Sequence, residues 1–80
     1  MEIKDKIRQF IITNFYVADA AALKDEQSLL DAGIVDSTGV LEVISFIEGE
    51  FSITVADVEM VPENLDSIAN ISSFVAKKKS

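Results

Sequence analysis

The sequence predicts an all-α fold, and three observations carry that expectation. Apolar side chains recur at spacings of three and four over residues 2–15, 37–51 and the last dozen residues, which puts them on one helix face in each segment. Helix-capping residue types precede the second and third of these runs, Asp36-Ser37 and Asp66-Ser67. The one stretch that alternates like a strand, residues 52–61, has no second strand to pair with, so it reads as extended loop.

The first helix spans about Glu2 to Phe15, with Ile3, Ile7, Phe10, Ile11 and Phe15 inward, and Asn14 near its end. Residues 17–36 break every period. Such a long loop needs fastening in a small protein. Leu23, Leu29, Leu30 and Ile34 are the core candidates within it, Asp25 to Asp31 is a candidate helical turn, and Gly33 suits a positive φ that ends the turn. The second helix runs from Ser37 to Phe51. Val40, Val43, Ile44, Ile47 and Phe51 form its inner face, and Leu41 and Phe46 widen the apolar stripe beyond what one core needs. Thr38, Glu42, Ser45, Glu48 and Gly49 take the outer face. Pro62 to Leu65 suits a short helical turn, because proline fits a first helical position. Asp66 or Ser67 caps the last helix, with Ile68, Ile71, Phe74 and Val75 inward. Lys77, Lys78 and Lys79 lie at its carboxyl end, where cations meet the negative end of the helix dipole. Residues 1–80 read as one domain without repeats or linkers.

Composition excludes several functions. The 80 residues hold 14 acids, 7 bases, no His and no Cys, with 49% hydrophobic residues and net charge −7. That apolar content separates the chain from disordered acidic tails. Without Cys there is no disulfide, thiolate metal site or thiol nucleophile. Without His the side chain best suited to proton transfer near neutral pH is missing, so an enzyme is not expected. The negative charge argues against nucleic acid and anionic membranes. No apolar run approaches the ~18 residues of a membrane span, and no secretory signal opens the chain, so a cytoplasmic monomer is expected. The charge is also uneven. Residues 9–76 hold twelve acids against Lys24 alone, and the nine acids from Asp31 to Asp66 face no base in sequence.

Ser37 is the conspicuous residue: a serine at a helix start, after a loop, opening the acidic tract. A plain helix cap accounts for it on composition alone. A hydrolase nucleophile does not, because the surroundings are not G-x-S-x-G and no histidine exists to accept its proton. A calcium loop fails as well, since Thr38 and Val40 would occupy ligand positions.

The stretch Asp36-Ser37-Thr38-Gly39-Val40-Leu41-Glu42-Val43-Ile44-Ser45-Phe46-Ile47-Glu48-Gly49-Glu50-Phe51 resembles the modification helix of acyl carrier proteins. In that family Asp-Ser-Leu opens an apolar helix with Glu five residues after the Ser, another Glu near the end and a closing Phe. Glu42, Glu48 and Phe51 match these places. Ser28 to Ile34 resembles the family's loop segment, and Pro62 to Ile68 the turn and last-helix start of free-standing and peptidyl-type carriers. The resemblance implies a four-helix bundle, three main helices plus one short helix, with a long loop between helices 1 and 2. It implies that Ser37 accepts 4′-phosphopantetheine from coenzyme A through a phosphopantetheinyl transferase that recognises Asp36. An acyl or aminoacyl group would then ride as a thioester, presented to enzymes of a fatty acid, polyketide, nonribosomal peptide or related biosynthetic pathway. It further implies a docking face of Thr38, Leu41, Glu42, Ser45 and Glu48 for basic patches on those partners. Thr38, Gly39 and Ser45 replace the family's usual Leu, acid and Met. These departures point away from the housekeeping carrier of fatty acid synthesis and toward a dedicated acyl- or aminoacyl-activating ligase. The competing reading is an unmodified acidic helical adaptor for a basic protein.

Overall fold

The computed structural model describes residues 3–15, 17 and 19–79, and among them every regular element is helical. Helix α1 is Ile3–Asn14, α2 is Ser37–Phe51, α3 is Pro62–Leu65 and α4 is Ile68–Lys79, with 3₁₀ turns at Ala20–Ala22 and Asp57–Glu59. The expected three main helices and one short one are present. The expected start of α1 at Glu2 lies outside the described residues. No helix among the described residues is long and apolar enough to cross a membrane.

The core forms where the helical stripes converge. Ile7 and Ile11 of α1, Ile47 of α2, and Ile68, Ile71 and Val75 of α4 are completely buried. Helix α1 packs chiefly on α4, and α2 touches both more sparingly. Between α1 and α2 the contact is aromatic. The Phe10 and Phe46 rings stack with centroids 4.2 Å apart, while Phe15 meets Phe10 and Phe51 meets Phe46 edge to face. This accounts for Phe46 in the widened apolar stripe of α2, while Leu41 stays exposed.

The long loop is fastened as the aliphatic spacing suggests, with one exchange. Leu23 and Leu29 are buried and Ile34 is half-buried, but Leu30 is 38% exposed and Val35 takes a core place at 2%. The exchange follows from backbone bonding. Asp66 receives the Leu30 N–H on Oδ1 at 3.0 Å and the Ser28 hydroxyl on Oδ2 at 2.6 Å, and its carbonyl receives the Leu29 N–H at 2.7 Å. With Leu29 pinned inward, Leu30 is left at the surface. A second clasp joins the loop to α1, where Asp25 accepts from Arg8 at 2.6 Å and lies 3.5 Å from Lys4. The Arg8 hydrogen bond holds the Asp25 carboxyl below its ordinary pKa. Gly33 has φ +72°, as a turn-ending glycine requires.

The extended loop expected over residues 52–61 is broken up: Ser52 lies in the left-handed region, residues 53–56 carry no regular structure, and Asp57–Glu59 form a 3₁₀ turn, with no strand among the described residues. Of the two candidate caps on α4, Ser67 takes the role: its hydroxyl accepts the Asn70 N–H at 3.0 Å, which leaves the Asp66 carboxylate for the loop.

Candidate functional site

The site is built at the start of α2. Asp36 has extended backbone, φ −102° and ψ −175°, and its Oδ1 accepts the Gly39 N–H at 2.7 Å. That is the geometry of an N-cap. Ser37 is therefore the first residue of the helix and not its cap, and it is exposed. It belongs to the first turn, whose N–H groups, apart from the Gly39 N–H that Asp36 takes, have no acceptor within the helix and favour an anion. An exposed hydroxyl at such a position fits a phosphate ester.

Gly39 is buried two residues further on. A Cβ there would come within 2.8 Å of Phe15 Cε1 and 3.2 Å of Val35 Cγ1. The end of α1 thus leans on the start of α2 at a place where only glycine leaves room. A side chain at this position would have to push the Phe15 ring and the Val35 methyl aside.

Two depressions flank the helix start. On one side, a cleft of about 180 Å³ is lined by Ser37 with Leu30, Val40, Met60, Val61, Pro62 and Leu65. Apart from the serine every lining side chain is apolar. Leu30 and Met60, each 38% exposed, form its rim. On the other side, an open groove of about 570 Å³ brings Thr38, Leu41, Glu42 and Ser45 together with Phe10, Asn14 and Phe46. Leu41 is 58% exposed, a large apolar residue left outside the core. Four of the five expected docking residues share this groove. Glu48 does not line it. Its carboxylate turns to accept the Val55 N–H at 2.9 Å and secures the chain after α2.

The acids divide by location. Within the described residues the ion pairs use Asp25, Glu50 and Glu59: Lys6 with Glu50 at 2.8 Å, Lys78 with Glu59 at 2.9 Å, and Arg8 and Lys4 with Asp25. Asp31, Asp36, Glu42, Asp57 and Glu63 enter none of these pairs. Among the described residues no three acidic side chains gather as ligands for a metal ion.

The sequence singled out the serine, its aspartate and four of the side chains that share the groove, Thr38, Leu41, Glu42 and Ser45. It missed Phe10, which supplies the groove floor from α1, and Leu30 and Met60, which rim the cleft from segments without helical period. Periodicity placed Phe10 on the inner stripe of α1 and spacing placed Leu30 among the loop's core candidates, while Met60 carried no signal beyond being apolar outside any helix stripe.

No family model matches the chain. Among curated proteins, the chain is similar to D-alanyl carrier proteins of two Streptococcus suis strains. In both cases it is 35% identical over 77 residues, covering 96% of this chain and 95% of the relative. It is also 40% identical over 55 residues to a D-alanyl carrier protein of Streptococcus mutans, covering 69% of this chain and 67% of that protein.

Proposed function

We propose a function from one premise: the chain belongs to the phosphopantetheine-type carrier protein family, together with the D-alanyl carrier proteins. Ser37 is the attachment residue for 4′-phosphopantetheine, and the cargo is a small aminoacyl group, D-alanyl by likeness to those relatives. The observation that supports this most is the division of labour at the helix start. Asp36 takes the cap, so the exposed Ser37 hydroxyl is spare for an ester. When bound, the group supplies a thiol that holds the cargo as a thioester.

The chain's own residues then have separable tasks. The α2 amino terminus stabilises the phosphate charge beside Ser37. The apolar cleft offers a wall for the uncharged part of the arm. It contains no acid to pair with an ammonium group, so burying an aminoacyl end there would be costly. The cargo end stays in water, where a partner enzyme can reach it. Asp36 serves transferase recognition. The groove of Thr38, Leu41, Glu42 and Ser45 receives the transferase and an aminoacyl-activating ligase, with Leu41 as apolar anchor and Glu42 facing basic side chains. Glu48 contributes to that face only through its partial exposure.

The test has two steps. Purified apo protein is incubated with coenzyme A, Mg²⁺ and a broad-specificity transferase, then with a D-alanine-activating ligase, ATP and D-alanine. The expected result is a mass gain of one phosphopantetheine, followed by one alanyl group on the loaded form alone. Absence of the first gain overturns the carrier reading at Ser37. The first gain without the second leaves a carrier with a different cargo. Partner activity that survives Ser37→Ala would favour the unmodified adaptor instead.

A further inference from the structure

We propose that Glu59 and Lys78 form a latch that positions Met60 at the cleft beside Ser37, so that the far end of the last helix controls how the attached arm lies. The inference rests on the attachment proposed for Ser37. Met60 follows the 3₁₀ turn Asp57–Glu59, a segment too short to hold its own shape by helical bonding. Within it the Met60 N–H donates to the Asp57 carbonyl at 3.1 Å and the Glu59 N–H to the Ala56 carbonyl at 2.9 Å, and bonds to other groups add to these. The Glu59 carboxylate accepts the Ala56 N–H at 2.9 Å, closing the turn on itself. The same carboxylate receives Lys78 Nζ at 2.9 Å on Oε1 and 3.2 Å on Oε2, which ties the turn to α4. Lys78 is in turn steadied over the Phe74 ring, 6.0 Å from its centroid. On the cleft side, the Glu59 carbonyl accepts the Asn64 amide at 2.9 Å and the Val61 N–H at 2.9 Å, which ties the turn to α3.

The neighbouring lysines supply the contrast. Lys79 reaches the Phe51 carbonyl at 3.4 Å, and Lys6 pairs with Glu50, so neither holds the turn. Lys78 thus links the last turn of α4 to a residue adjoining the cleft rim, and the charge of Lys77 acts on the same carboxylate. Glu59 and Lys78 are positioning residues: they act on the arm through Met60 and touch neither Ser37 nor its cleft.

Two readouts test the latch. The first is the Met60 methyl resonance in the unloaded protein. The second is the emission of an environment-sensitive fluorophore carried on a pantetheine analogue attached at Ser37. Lys78→Gln and Glu59→Gln should shift the Met60 resonance alike and move the emission to longer wavelength. A partly exposed pair biases cleft occupancy by about two- to five-fold. The double variant should add nothing further, Lys78→Arg should behave as wild type, and Lys6→Gln should leave both readouts in place despite losing an ion pair. An unmoved Met60 resonance in Lys78→Gln overturns the latch, as does an equal shift in Lys6→Gln. Failure of the wild-type protein to take up the analogue counts against the attachment at Ser37, and the Met60 resonance then decides the latch by itself.

Discussion

The two ends of α2 are made of opposite materials. At its start, Ser37 is exposed, Asp36 and Glu42 enter none of the ion pairs among the described residues, and a large apolar residue, Leu41, is left outside. At its end, Phe51 is buried, Glu50 is bound by Lys6, and the Phe51 carbonyl is met by Lys79. Ser52 closes that end in the left-handed region, φ +56°. The protein has few cations, and the structure uses several of them at this far end and along the loop. Among the described residues the start is left with acids that no cation pairs, Asp36 being held by the Gly39 N–H instead. One helix serves as a foundation at one end and a presentation surface at the other.

Truncations break this contrast most sharply. Phe51→Ala should cost about 3–4 kcal/mol in chemical denaturation, as loss of a buried aromatic does. Ser37→Ala should change stability by less than about 0.5 kcal/mol, because the cap is its neighbour. Equal losses at both ends would mean that Ser37 is structural. Asp36→Ala removes the cap itself and should cost about 1 kcal/mol, while also slowing transferase loading. Charge reversals follow. Glu42→Lys should keep the melting temperature and slow association with a basic partner about ten-fold at low salt. Glu50→Lys should do the converse, lowering the melting temperature slightly while association is unchanged.

The smallest effect is the acid response. Asp25 is held below its ordinary pKa first by the Arg8 hydrogen bond, and Glu59 first by the Ala56 N–H and then by Lys78. Carboxyls with lowered folded-state values stabilise the native state fully above their unfolded values of about 4. That contribution disappears as pH falls through the lowered values. Denaturation midpoints measured from pH 7 down to pH 3 should therefore decline, and Arg8→Gln with Lys78→Gln should flatten the decline.

Much of this architecture was legible in the sequence because helices announce themselves locally. The bounds of α2, the proline start of α3 and the positive φ of Gly33 each depend on neighbours within a turn. The exchange of Leu30 for Val35 was not legible, because it depends on Asp66, 36 residues away from Leu30. Nor was the Glu59–Lys78 bridge, 19 residues apart, or the inward turn of Glu48. At the site, periodicity found the face of α2 but not the aromatic floor from Phe10, since that contact exists only after α1 packs. The cap was ambiguous between Asp36 and Ser37 for the same reason: two adjacent oxygen-bearing side chains look alike until the backbone angle of one is known.

The central claim is that the start of α2 offers Ser37 as a spare hydroxyl for a phosphopantetheine ester while Asp36 holds the helix. Peptide mapping by tandem mass spectrometry, after incubation with coenzyme A, Mg²⁺ and a transferase, tests it most directly. The account predicts a single phosphopantetheine on Ser37 in the wild-type protein, and none in a Ser37→Ala protein that remains folded. A modification on any other residue, or none on a folded wild-type protein, would contradict it.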